Sequence, residues 1–226
     1  MAVATMVFLP MTARGQSETF GVGSAHNCIP FSCALPFTDI SGYQQVFASD
    51  SFTGPILIHE LDFFSEAGTT LATGTFSFFF SYTLAPVNGL SPTLDSNPSS
   101  VPVAFGTEVL AGGDAPATLH VPGLSFLYDP SVGSLLMYVK ISGYSPSSGT
   151  SSPGFESVTT GPHCSRAFNA VFAGSVDDGG GGVTGCLRTE IQFTRITGAP
   201  EPTTSFMVAT GLLALIGAKA RRQRRG

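Results

Sequence analysis

A chain of 226 residues that is 42% hydrophobic, with 27 Gly, 16 Pro and 19 Phe but no Trp, suits one ordinary core and is too apolar for a disordered chain. The formal charge of −5 hides an asymmetry: the body between residues 16 and 199 holds four cations, Lys140, Arg166, Arg188 and Arg195, against fourteen acids, a formal charge of −10. So acidic a body repels phosphate backbones, which argues against nucleic-acid binding.

Ala2 to Met11 is an apolar run, and Ala13-Arg14-Gly15 offers small residues on both sides of Arg14. That pattern predicts a secretory signal over residues 1–15, cleaved after Gly15. The run has no Lys or Arg ahead of it, so we expect the basic region of the signal to lie upstream of Met1. A first buried strand is the competing reading, because a run of this length does not discriminate by itself. Export also gives the four cysteines a reading. Of the three possible connectivities we expect Cys28–Cys33 and Cys164–Cys186, since each pair brackets one local loop. A zinc site is the alternative, but no C-x-x-C pair is present.

Between the two ends the pattern is one of strands, and residues 16–199 read as a single β domain. Tyr43 to Ala48 (YQQVFA) is the first predicted strand. In Ile56 to Phe64, alternation sets Ile56, Ile58, Glu60 and Asp62 against Leu57, His59, Leu61 and Phe63. Gly74 to Leu84 places Phe76, Phe78, Phe80 and Tyr82 on one face, a period of two that no helix supports. Further strands are expected at Val101 to Leu110, Ala117 to Val121, Ser134 to Ser142, Ala167 to Ala173 and Leu187 to Thr197. In the last, Leu187, Thr189, Ile191 and Phe193 share a face. The expected fold is all-β, an antiparallel β-sandwich of jelly-roll type with a Phe-rich core. Ser145 to Gly154 (SPSSGTSSPG) and the run from Asp177 to Gly182 (DDGGGG) read as loops.

Few residues suggest chemistry. His26, His59, His120 and His163 fall in separate elements, and no G-x-S-x-G context supports a Ser-His-Asp triad. Glu60 and Asp62 stand two apart and so share a face, which glycoside hydrolysis would use; the plainer reading is the solvated face of an edge strand. Asp177 and Asp178 lack the D-x-D-x-D-G spacing of a calcium loop. Tyr43, Tyr82, Tyr128, Tyr138 and Tyr144 offer rings that sugars stack on, though strand alternation accounts for several. No catalytic residue, cofactor or metal set is expected.

The C-terminus is more specific. Pro200-Glu201-Pro202 keeps the backbone extended, and a helix over Thr203 to Ala220 would span roughly 27 Å at 1.5 Å per residue, close to a hydrocarbon core. Lys219, Arg221, Arg222, Arg224 and Arg225 follow it as a stop-transfer block that orients the helix with its C-terminus in the cytoplasm. The order of proline-flanked glutamate, apolar helix and arginine cluster resembles the PEP-CTERM sorting signal of bacteria that make extracellular polysaccharide. The resemblance covers about residues 199–226 and implies recognition by an exosortase, a membrane-embedded cysteine transpeptidase-like enzyme, with processing near Pro200-Glu201-Pro202. The body is also similar to a β-rich type among these proteins, through Tyr43 to Phe47 (YQQVF), Phe52 to Ile56 (FTGPI) and Tyr128 to Leu136 (YDPSVGSLL). The resemblance implies an exported, non-enzymatic protein of the cell surface or the exopolysaccharide matrix, with extracellular polysaccharide as a partner and only transient contact with the inner membrane. A carbohydrate-binding module is the alternative, and a glycan-active hydrolase a third.

Overall fold

A computed structural model describes residues 15–148, 153–172, 175–177 and 183–196. The chain divides into two compact units, Met1–Arg195 and Ile196–Gly226. The expected signal run, the centre of the Ser145 to Gly154 loop, Asp178 with its glycines, and the whole sorting tail with its helix lie outside the described residues.

Fourteen strands are present among the described residues. In chain order, β1 (Gln16–Phe20) and β2 (Ala25–Asn27) precede β3 (Phe37–Phe47), β4 (Ile56–Phe64) and β5 (Thr70–Thr83). Then come β6 (Val103–Asp114), β7 (Thr118–Tyr128), β8 (Ser134–Ser145), β9 (Phe155–Val158) and β10 (Cys164–Phe172). Three short strands, β11 (Ser175–Asp177), β12 (Val183–Thr184) and β13 (Cys186–Leu187), lead to β14 (Thr189–Arg195). One sheet runs β1-β14-β4-β7, and the larger runs β11-β10-β3-β8-β5-β6 with β12 paired to β10. A small sheet runs β13-β9-β2, and every strand ladder is antiparallel.

The fold is all-β and sandwich-like because the two large sheets bury one shared core. Phe76, Phe78 and Phe80 of β5 point inward, as their spacing predicts, and so do Leu187, Ile191 and Phe193 near the other end of the chain. Phe63 of β4 meets Phe78 of β5 at 6.1 Å between ring centroids, and Phe126 of β7 meets Phe80 at 5.2 Å. Both are contacts across the sandwich, in the range where aromatic pairs add to burial. The five-residue step from Cys28 to Cys33 inserts Phe31 between the sheets, where its ring touches Phe63, Phe76, Phe78 and Phe155. A loop that short has no period to read, so the sequence did not mark Phe31 as a core residue.

Two expectations need correcting, both in β4. It is not an edge strand: β14 and β7 flank it. The single alternation across the whole strand also fails, because its pairing with β14 and with β7 shifts register between Ile58 and Glu60. The extra residue, His59, bulges out and reverses the phase. Ile56 and Ile58 face the core before it, Leu61 and Phe63 after it, and Glu60 and Asp62 turn to the outer face.

Candidate functional site

The outer face of the β14-β4-β7 sheet collects the groups that the bulge re-aims. Register sets Glu190, Asp62 and His120 side by side in one row, and Gln192, Glu60 and Pro122 in the next. His120 Nδ1 lies 2.6 Å from Asp62 Oδ1 and 3.3 Å from Glu60 Oε1. Gln192 Nε2 donates to Asp62 Oδ2 at 2.6 Å and to Glu60 Oε1 at 3.3 Å. Asp62 is 4% exposed although it sits on an outer face, whereas the His120 side chain is 62% exposed. The hydrogen bond to Asp62 holds the His120 pKa above the usual imidazole value, against a smaller desolvation effect. Glu60, Asp62 and His120 each offer one donor atom, and these atoms all lie within 4.8 Å of one another, close enough to share one ion. Sequence reasoning found Glu60 and Asp62 as a pair and missed His120 and Gln192, which arrive from strands far along the chain with no motif to announce them.

The segments that carried the resemblance in the body make hydrogen bonds and packing contacts within it. In β3, Tyr43 and Gln45 face the core, and Gln44 faces the other way. Gln45 Oε1 accepts from the Tyr43 hydroxyl at 2.6 Å and from Leu187 N at 3.0 Å, and Nε2 donates to Thr189 Oγ1 at 3.0 Å and Leu187 O at 3.2 Å. Gln44 Nε2 donates to Leu94 O at 2.9 Å, while Asn97 Nδ2 donates to Gln44 Oε1 at 2.7 Å. That pins the 84–102 connection over a second apolar cluster of Val46, Leu90, Leu94, Leu136, Tyr138 and Ala167. Phe52 packs edge-on to Tyr128 at 5.2 Å. Asp129 takes the N–H and hydroxyl of Ser131, which holds its carboxyl below the usual range and closes the β7–β8 turn.

Other chemical candidates dissolve on inspection. Cys28 is bonded to Cys33 and Cys164 to Cys186, the pairing expected, which leaves no thiolate among the described residues for zinc. Ser51 Oγ and an Asp50 oxygen both approach His163 Nδ1, at 3.4 and 3.8 Å. A triad needs the carboxylate and the hydroxyl on opposite ring nitrogens, so this is no charge-relay geometry. His163 borders a cleft of about 350 Å³ with Glu18, Phe20 and Pro162, and a second cleft of about 410 Å³ lies between Asp39, Asp95 and Tyr138. Neither includes Glu60, Asp62 or His120. The tyrosines do not offer exposed stacking faces: Tyr43 and Tyr128 are wholly buried, Tyr138 is 7% exposed, and Tyr82 and Tyr144 are half-buried with their hydroxyls bonded. Asp177 ends β11.

No protein-family model matches the chain, and no curated protein and no solved structure is significantly similar to it.

Proposed function

We propose that the chain is an exported, non-enzymatic protein whose jelly-roll body is delivered to the cell surface or exopolysaccharide matrix by its C-terminal sorting signal. The disulfides are the observation that carries the reading. Cys33, Cys164 and Cys186 sit in the core, and two bridges in a body of this size suit an oxidising compartment outside the cytoplasm.

Strand order supports the jelly-roll reading. Antiparallel pairs form between β1 and β14, β3 and β8, β4 and β7, and β5 and β6, first with last and inward to the middle. That is one long hairpin rolled up, with β14-β4 and β8-β5 contacts stitching the turns of the roll. The β10 and β11 strands extend the larger sheet beyond β3. A structural or interaction role is supported by the fate of the polar groups. The body segments shared with PEP-CTERM proteins tie strands and turns together, and the Ser-His-Asp grouping has the wrong geometry.

The tail supplies the address. Each arginine of Arg221, Arg222, Arg224 and Arg225 costs about 2.5–3.5 kcal/mol to insert, so together they stall translocation and hold Pro200-Glu201-Pro202 outside the membrane for an exosortase. In the native host, mass spectrometry of the mature protein is expected to show an end near Pro202. Replacing the four arginines with serine is expected to weaken retention, and Glu201→Ala to block processing while leaving insertion intact. Normal release and mature mass in both variants would refute the sorting reading.

A further inference from the structure

We propose that Glu60, Asp62 and His120 form a binding site for one divalent transition-metal ion of the zinc type, on the outer face of the β14-β4-β7 sheet. This rests on the geometry of the body alone and stands whether or not the tail is a sorting signal.

The first reason is charge. Asp62 is almost completely buried, Glu60 adjoins it, and Glu190 is the direct β14 neighbour of Asp62. All four basic residues of the body lie elsewhere. Arg188 bonds Glu156 and stacks over Phe64, Arg195 bonds Gln16 and Thr53, Lys140 lies over Phe79 and Tyr138, and Arg166 belongs to β10 of the other sheet. One exposed imidazole therefore faces carboxylates that no Lys or Arg among the described residues neutralises. Among these residues the exposed His120 imidazole is the one basic group paired with Asp62, and a dication supplies more positive charge than one imidazole can.

The second reason is the donor set. Metal–ligand distances near 2.0–2.1 Å in a tetrahedron put donor atoms roughly 3.3 Å apart. The His120–Glu60 separation of 3.3 Å already fits, and the 2.6 Å His120–Asp62 hydrogen bond opens as the ion takes the place of the shared proton. Gln192 holds Asp62 Oδ2, which leaves Oδ1 directed at His120, as an outer partner orients a ligating carboxylate. The donors stand on adjacent strands, two of them on a central one, so little ordering is needed on binding. One imidazole nitrogen with two carboxylates suits zinc, copper or nickel; calcium asks for six to eight oxygens, which this face does not supply.

The test uses the untagged full-length chain, titrated with Zn²⁺ by calorimetry and with Co²⁺ as a spectroscopic probe. One ion per chain is expected, with affinity falling at least tenfold in both His120→Ala and Asp62→Asn. In the unmutated protein, NMR signals of the His120 ring are expected to move on adding Zn²⁺ while those of His26, His59 and His163 stay in place. That measurement decides the matter even if a variant misfolds. The proposal is overturned if Zn²⁺ shows no saturable binding, if both folded variants bind as the parent does, if Ca²⁺ binds as tightly, or if another histidine responds in place of His120.

Discussion

Two polar clusters in this body are built on opposite sheets of the sandwich, one on β3 and one around β4, and end in opposite conditions. The Tyr43-Gln44-Gln45 cluster is neutral and buried, and every amide atom of both glutamines meets a partner at 3.2 Å or less. The Glu60-Asp62-His120-Gln192 cluster is charged, lies on an outer face, and lacks a fixed cation. Burial by itself does not separate them, since Gln44, Gln45 and Asp62 are all at or below 4% exposure. Nor do hydrogen bonds, since both Asp62 oxygens have partners; charge does. A neutral cluster that satisfies itself acts as an internal tie, and a charged one whose carboxylates share a single exposed imidazole is where a cationic ligand gains most.

The sharpest way to break this contrast is to cut the buried tie. Gln45→Ala leaves Leu187 N and the Tyr43 hydroxyl without acceptors inside the core and opens a cavity. We expect a loss of about 3 kcal/mol, read as an earlier urea midpoint. Gln44→Ala frees the 84–102 connection and is expected to cost about 2 kcal/mol. It should also raise hydrogen exchange in that connection ahead of the strands. If either variant matched the parent, the cluster would not be the tie described here.

The two clusters were unequally legible in the sequence, for a physical reason. Alternation is a local property, so the Phe76-Phe78-Phe80 face and the Leu187-Ile191-Phe193 face were readable. Gly74 to Leu84, read as a strand, occupies most of β5. The bulge at His59 was not readable, because no Gly or Pro marks it and it is set by pairing with β14 and β7. Whether β4 is central depends on the same distant partners. β1 and β9 were missed since QSETF and FESV carry too few apolar residues to show a period. The strand expected over Ala117 to Val121 runs on through Pro122 to Tyr128, as an outer strand of its sheet can despite a proline. YQQVF was read as a strand as well as a resemblance, and YDPS as a resemblance alone. Their roles, a clamp between sheets and a turn anchored on Tyr82, depend on partners far along the chain.

Alkaline pH probes the buried cluster without mutation. Burial raises the phenol pKa of Tyr43, Tyr128 and Tyr144 above the usual value, and burial with the Asp95 carboxylate beside it pushes Tyr138 up to about 12. The unfolded chain ionises its tyrosines from about pH 10 while the folded chain still holds those protons. Above that value the unfolded state binds fewer protons, so stability is fully present below about pH 10 and is lost as pH rises through the folded values. Tyrosinate absorbance and loss of near-ultraviolet circular dichroism are expected to rise together. Ionisation of Tyr43, Tyr128, Tyr138 and Tyr144 near pH 10 in a chain that stays folded would mean that these hydroxyls are not buried.

The smallest effect is expected where the charges are. In metal-free protein, His120→Ala removes an exposed side chain, and ion pairs of that kind contribute within about 1 kcal/mol. Gln192 still donates to Asp62 and Glu60 after the change, so neither carboxylate loses all its partners. The urea midpoint of His120→Ala should therefore lie close to that of the parent and well above that of Gln45→Ala. Urea melts of the two variants in the same chelator-containing buffer make the comparison direct. If His120→Ala proved as costly as Gln45→Ala, the surface cluster would be a second structural tie, and the contrast between the neutral cluster and the charged one would fail.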